Sequence, residues 1–147
     1  MERFPLQLVA NQPATRLHSQ LDFGATSLAS KVKDREPVRL HPHDAAARGI
    51  RDGDIVRLYN DRGACLAGAV LSEALRPGVV QLATGAWYDP ADPNAKQPTC
   101  VHGNPNVLTR DAGTSQLAQG CTGQLTLIEI ERSDGVAAPM TAFDPPL

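Results

Sequence analysis

Aromatic side chains are scarce in this chain: only 4% of its 147 residues are Phe, Trp or Tyr, with a single tryptophan. Long apolar runs are missing as well. Nothing approaches the roughly 18 residues that a membrane-spanning helix needs, and the first residues lack the basic region and hydrophobic stretch of a signal peptide. Charge of one sign is also lacking. The 14 Lys and Arg against 16 Asp and Glu give a formal net charge of -2, without the cationic surface that nonspecific nucleic-acid or acidic-membrane binding requires. No nucleic acid and no membrane are therefore expected as partners. Cysteines number 3, Cys65, Cys100 and Cys121, an odd count at wide spacing that argues against a disulfide framework and suits a reducing compartment. Cys100-x-His102 has the spacing of half a metal site, but no second close pair completes it, so buried or incidental thiols are expected over zinc.

What the chain does have is punctuation, 12 Gly and 12 Pro in a sequence whose hydrophobic fraction is an ordinary 41%. That favours short strands and turns over long helices. One domain of this size buries roughly two-thirds of its unfolded surface. Residues 6–10 read as a buried strand ended by Asn11 and Pro13, and Val38 and Leu40 as another. Residues 22–36, polar and Ser-rich without a clear period, read as a surface connection. Pro42 suits a first helical position, Asp44 a first turn and Gly49 a C-terminal stop, giving one short helix. Residues 55–59 and 65–71 read as strands joined by the Asn60-Asp61-Arg62-Gly63 hairpin. Arg76-Pro77-Gly78 before a strand at 79–82 echoes Arg51-Asp52-Gly53 before Ile55, a hint of two similar halves. Residues 84–123 form a long Gly/Pro/Asn-rich stretch of the kind that carries function. A last alternating, β-branched strand occupies 124–131, and the prolines beyond it mark a tail. The expected fold is mainly β: a small barrel domain over 1–132 with one or two short helices and long functional loops, then a C-terminal tail at 133–147.

Four blocks occur in a specific order: Arg16-Leu17-His18-Ser19-Gln20; Pro42-x-Asp44-Ala45-Ala46 to Gly49-Ile50-x-Asp52-Gly53-Asp54; Gly85-Ala86-Trp87-Tyr88-Asp89-Pro90; and Gly103-Asn104-Pro105-Asn106-Val107-Leu108-Thr109 to Gly113-Thr114-Ser115-x-Leu117-Ala118-Gln119. Together, over residues 4–131, they closely resemble the C-terminal molybdopterin dinucleotide-binding domain of the dimethyl sulfoxide, trimethylamine N-oxide and biotin sulfoxide reductase family, biotin sulfoxide reductase in wording above all. The resemblance implies a double-psi β-barrel closing over bis(molybdopterin guanine dinucleotide) with molybdenum. The remaining domains of the parent reductase would be its partners and would supply the side-chain metal ligand. The isolated domain is then expected to hold no catalytic residue and no reductase activity. Cytoplasm is the expected compartment of the parent, periplasm the alternative. The loop at 91–99, the segment Asn11-Gln12-Pro13-Ala14, less basic than the resemblance leads one to expect, and Cys121 depart from the family pattern, and these bear on substrate more than on cofactor.

Residue chemistry agrees with the first loop. Arg16 presents a planar fork suited to a phosphate or a pterin carbonyl, and His18, Ser19 and Gln20 offer neutral hydrogen bonds, with Leu17 among them; the alternative is a solvated loop with a capping serine. Asn104 and Asn106 sit among Gly and Pro, where asparagine often only forms turns. The resemblance makes Asn106 a partner for the pterin edge and brings Gln119 toward the same ligand, with Gly103, Gly113 and Gly120 admitting a flat ring. Trp87 and Tyr88 are either a loop anchor or a ligand platform; Tyr88 is placed in the cofactor set. His41 and His43 are expected as exposed caps. Two rivals remain. A pyruvoyl enzyme on the same barrel needs a Gly-Ser bond to cleave, and no such dipeptide occurs. A non-catalytic double-psi interaction module would explain the barrel but not the ordered loops.

Overall fold

Leu6 and Leu8 are buried while Gln7 and Val9 are half-buried, the two-residue period of a strand with one face on a core. The same alternation recurs around a closed barrel in the computed structural model, which describes residues 3–120 and 126–145. Its strands are β1 (Leu6–Val9), β2 (Pro37–Leu40), β3 (Ile55–Tyr59), β4 (Ala64–Leu71), β5 (Val79–Leu82) and β6 (Thr126–Arg132), arranged β1-β5-β2-β4-β3-β6. The pairs β1/β5 and β2/β4 are parallel and the other neighbours antiparallel. A hairpin cannot join parallel neighbours. The connections from β1 to β2 and from β5 to β6 join strands that are not neighbours, as expected of the double-psi type, and their described residues 10–36 and 83–120 supply the site described below.

Leu8, Val38, Leu40, Val56, Leu58, Val80, Leu82, Ile128 and Ile130 fill the interior. Each such side chain contributes about 1.5–3 kcal/mol by leaving water. Strand β4 departs from alternation, with six consecutive buried residues. Its edge beside β2 is continued by the 99–103 segment, where Cys100 pairs beside Cys65, Leu66 N–H donates to Cys100 O at 2.8 Å and Cys100 N–H to Ala64 O at 3.0 Å. Cys65, Ala67 and Ala69 face the core, and Val32 lies over Gly68 on the other face, where a Cβ would come within 2.3 Å of it. Cys65 and Cys100 are both buried, free thiols, and burial, reinforced by Cys100, holds the Cys65 thiol well above its ordinary pKa despite Arg57 nearby. Cys121 lies outside the described residues.

The helix at Pro42 forms where its caps stand: α2 (Pro42–Ala46) starts with His41 Nδ1 accepting the His43 N–H at 3.1 Å and ends before Gly49 at φ 63°. Asp44 does more than face the helix dipole. It is buried and accepts the Gly78 N–H at 2.7 Å, tying α2 to the turn before β5. Asn60 closes the β3–β4 hairpin, accepting Arg62 N–H at 2.9 Å through its side chain.

The reading of residues 22–36 as a surface connection is corrected by the structure. The segment contains a helix, α1 (Ala25–Ser30), and buries Asp22, Ser27, Arg35 and Glu36. Six residues are too few to display a helical period, and here the buried groups are polar: Ser27 donates to Asp22, Lys31 to Asp22 and Glu36, and Arg35 to the Lys33 and Ala138 carbonyls. Of the residues after β6, expected as a tail, Ser133 N–H donates to Ile55 O at 2.9 Å and Thr141 and Ala142 bond to Asp89. No helix among the described residues is long and apolar enough to cross a membrane.

Candidate functional site

Beneath the two long connections lies a buried ion cluster. Arg16, Asp22, Lys31 and Glu36 all have side chains no more than 3% exposed. Lys31 Nζ lies 2.7 Å from both Asp22 Oδ1 and Glu36 Oε2, while Arg16 reaches Glu36 Oε2 at 3.2 Å and Asp22 Oδ1 at 3.4 Å. Two cations meet two carboxylates, so no net charge is stranded in the interior. Burial alone would raise the Asp22 carboxyl, but the Lys31 hydrogen bond, the Trp87 N–H and the charges of Lys31 and Arg16 outweigh it and leave the pKa lowered. His102, fully buried beside this cluster, is held below its ordinary pKa by burial and by Lys31. Its Nδ1 lies 3.0 Å from Trp87 O, which requires the proton on Nδ1; Nε2 has no partner among the described residues.

The cluster fixes backbone as well as charge. Arg16 Nε donates to His18 O at 3.1 Å and Nη2 to Thr84 O at 2.9 Å, and Asp22 Oδ2 accepts the Trp87 N–H at 2.9 Å. Trp87 Nε1 returns to Ser19 O at 2.8 Å. The 16–20 and 84–88 loops are thus laced together. Their contact is close at Gly85, φ 92°, where a Cβ would lie 2.0 Å from His18 O, a position that only glycine fits.

Above this joint opens a cleft of about 450 Å³ lined by His18, Ser19, Thr84, Gly85, Ala86, Trp87, Tyr88, Asn104 and Asn106. No carboxylate lines it. The Asn104 side-chain oxygen accepts the Asn106 N–H at 2.9 Å, starting the short 3-10 turn Pro105–Val107, and this turn presents the Asn106 side chain with no partner among the described residues. The His18 ring, Ser19 hydroxyl, Tyr88 hydroxyl and Asn104 amide nitrogen are likewise uncommitted. The arrangement offers a flat ligand neutral donors and acceptors on two sides and Trp87 as an aromatic wall. Such a set suits a pterin edge, and the absence of acidic lining suits an anionic dinucleotide.

Of the residues singled out in the sequence, the fold brings His18, Ser19, Tyr88, Asn104 and Asn106 together around the cleft. Arg16 is turned inward with its guanidinium committed to the cluster. Leu17 and Gln20 face each other across a tight exposed turn, Gln20 N–H donating to Leu17 O at 2.9 Å, and do not line the cleft. Gln119 stands on the exposed 111–120 loop, its amide donating to Ser115 O at 3.0 Å. Gly103 admits Glu36 rather than a ring: a Cβ there would lie 2.7 Å from Glu36 Cβ. Asp22, Lys31 and Glu36 were not legible as site residues, since nothing in their spacing marks them, and His102, noted for its spacing from Cys100, stands instead beside the ion cluster. The one available signal was Asp22, a charge two residues after the His18-Ser19-Gln20 block. Among the described residues no cluster of three His, Cys, Asp or Glu side chains could hold a metal ion.

The comparisons agree with this geometry. Residues 6–127 match the model of the molydopterin dinucleotide binding domain. The chain is 52% identical to trimethylamine-N-oxide reductase of Haemophilus influenzae over 99% of its own length and 18% of that protein's. It is 46% identical to dimethyl sulfoxide/trimethylamine N-oxide reductase of Cereibacter sphaeroides, over 98% of itself and 18% of the relative. The chain thus spans about a fifth of the length of the curated relatives it matches. Among solved structures, acetylene hydratase from Pelobacter acetylenicus superposes with a TM-score of 0.68 at 16% identity, over 88% of this chain and 18% of that one, a likeness of fold alone. A closed mainly-β barrel whose loops converge on a carboxylate-free cleft, with a family model matched over nearly all of it, belongs to the molydopterin dinucleotide binding domain family.

Proposed function

We propose that the cleft between the 16–20, 84–88 and 104–106 loops receives the pterin portion of bis(molybdopterin guanine dinucleotide) with molybdenum, and that the polypeptide carrying this chain reduces N-oxides or S-oxides. The observation that carries the reading is the cleft itself: His18, Ser19, Tyr88, Asn104 and Asn106, drawn from three separate loops, direct unused polar atoms around one volume free of carboxylates. The bound group would supply the oxygen-atom transfer chemistry. The chain's own residues bind and orient. Asn106 and Asn104 meet a donor–acceptor edge, Ser19 and His18 meet the same ring from the opposing loop, and Trp87 limits water on one side. Arg16 acts through the loop backbone it holds. Leu17, Gln20 and Gln119 would touch only those parts of a dinucleotide that extend beyond the cleft.

The relatives named above are N-oxide and S-oxide reductases, which supports that reaction class. Biotin sulfoxide as the substrate rests on the sequence blocks alone, and substrate choice would be made largely by the part of the parent that this chain does not include. The test is chemical analysis of the intact polypeptide: stoichiometric pterin, guanine and molybdenum, with dye-linked reduction of an N-oxide or S-oxide, are expected. The 147-residue chain by itself is expected to reduce neither. An intact polypeptide that purifies folded without pterin and without such activity would overturn the proposal.

A further inference from the structure

We propose that residues 137–143 form a strap that sets the pose of Trp87, and that Phe143 is thereby a positioning residue for the ligand of the cleft. The second half of this proposal rests on the reading of the cleft given above. After β6 the chain returns across the end of the barrel, and its contacts converge on one place. Arg35 Nη2 donates to Ala138 O. Asp89, buried at 4% exposure, accepts three hydrogen bonds from the strap: Thr141 N–H at 2.5 Å, Ala142 N–H at 2.9 Å and Thr141 Oγ1 at 2.9 Å. Phe143 then packs edge-to-face on two rings, Trp87 at 5.4 Å and His102 at 5.0 Å.

These contacts do not chiefly serve the barrel strands. Asp89 is two residues from Trp87 and next to Tyr88, both of which line the cleft. Trp87 is held through its N–H by Asp22, through its carbonyl by His102 and through Nε1 by Ser19 O, and its ring is packed by Phe23 at 5.6 Å as well as by Phe143. The indole is therefore fixed at backbone and ring together, and Phe143 is the ring contact that comes from the far end of the chain. A terminal segment does not order itself without compensation, because each residue held loses conformational freedom. Here a buried carboxylate collecting three donors provides it. The matched family model ends at residue 127, before the strap, whereas the reductase relatives align over 98–99% of the chain. The strap thus belongs to what this chain shares with those relatives beyond the bare domain.

Trp87 is the one tryptophan of the 147 residues, so its emission reads the strap directly. The experiment compares the chain with Phe143→Ala, Phe143→Tyr and Asp89→Asn, following emission, acrylamide quenching and urea unfolding. Phe143→Ala and Asp89→Asn should red-shift the emission and raise quenching while the barrel keeps its β circular dichroism, and Phe143→Tyr should restore the wild-type emission and quenching. In the intact polypeptide the same two loosened variants should lose pterin by about tenfold, the factor set by one ordinary lost interaction, with Phe143→Tyr again restoring it. Should Phe143→Ala lose the barrel, Asp89→Asn carries the comparison. Unchanged emission and quenching would overturn the strap. Loosened Trp87 with full pterin content would overturn the positioning role. A wild-type intact polypeptide without pterin would overturn the cleft reading and with it the positioning role, leaving the fluorescence to decide the strap separately.

Discussion

Asp22 accepts the backbone N–H of Trp87 at 2.9 Å, joining residues 65 positions apart in the chain. The same carboxylate takes Lys31 Nζ at 2.7 Å and the Ser27 hydroxyl at 3.1 Å, so one buried group carries helix α1, the 16–20 loop and the Trp87 wall. Replacing it by a neutral isostere leaves Arg16 and Lys31 in the interior with only Glu36 opposite. Asp22→Asn is expected to destabilise the chain by about 3–5 kcal/mol, the cost of breaking one partner out of a buried ion set, as measured by urea unfolding. Because the folded pKa of Asp22 is lowered from 3.8, its contribution is complete above about pH 4 and lost as pH falls through the folded value. Acid unfolding should be correspondingly shallower in Asp22→Asn.

Gly85 separates backbone strain from collision. Its φ of 92° and the 2.0 Å approach to His18 O predict that Gly85→Ala both strains the backbone and pushes the two cleft loops apart. Gly78, at φ 85° with nothing within 4 Å, is the control for strain alone. Gly78→Ala should cost about 1–3 kcal/mol. Gly85→Ala should cost more and, in the intact polypeptide, should also lower pterin content, which Gly78→Ala should leave unchanged.

The strands, the hairpin and α2 were legible because their causes are local: Leu6 and Leu8 alternate with Gln7 and Val9, Asn60 precedes a turn, and Pro42 follows a residue able to cap. Helix α1 and the ion cluster were not. Arg16 reads as an anion-binding side chain from its loop, yet its acceptors, Glu36 and the Thr84 carbonyl, lie 20 and 68 residues away. Burial of charge depends on partners distant in the sequence, and no period records it. The cleft was half legible for the same reason: Ser19 and Asn106 carry their chemistry in their side chains, whereas the joint that brings them together depends on Gly85 and His18 meeting in space.

His102 links the site to pH. Burial and Lys31 keep its folded pKa below the ordinary 6.5, so below that pH the unfolded chain binds a proton that the folded chain refuses. Its contribution therefore makes stability decline as pH falls below about 6.5 toward the lowered folded value, by up to about 1.4 kcal/mol per pH unit. Urea midpoints across that range should drop in the wild type and drop less in His102→Asn.

The account stands most directly on Asn106, which lines the cleft and whose side-chain amide has no partner among the described residues. In the intact polypeptide, Asn106→Ala should reduce pterin and molybdenum content by roughly fivefold to over a hundredfold, since a buried polar group deprived of its partner costs about 1–3 kcal/mol. The melting temperature of the cofactor-free protein should stay unchanged. Full cofactor content together with a lowered melting temperature would contradict the account and make Asn106 a turn residue only.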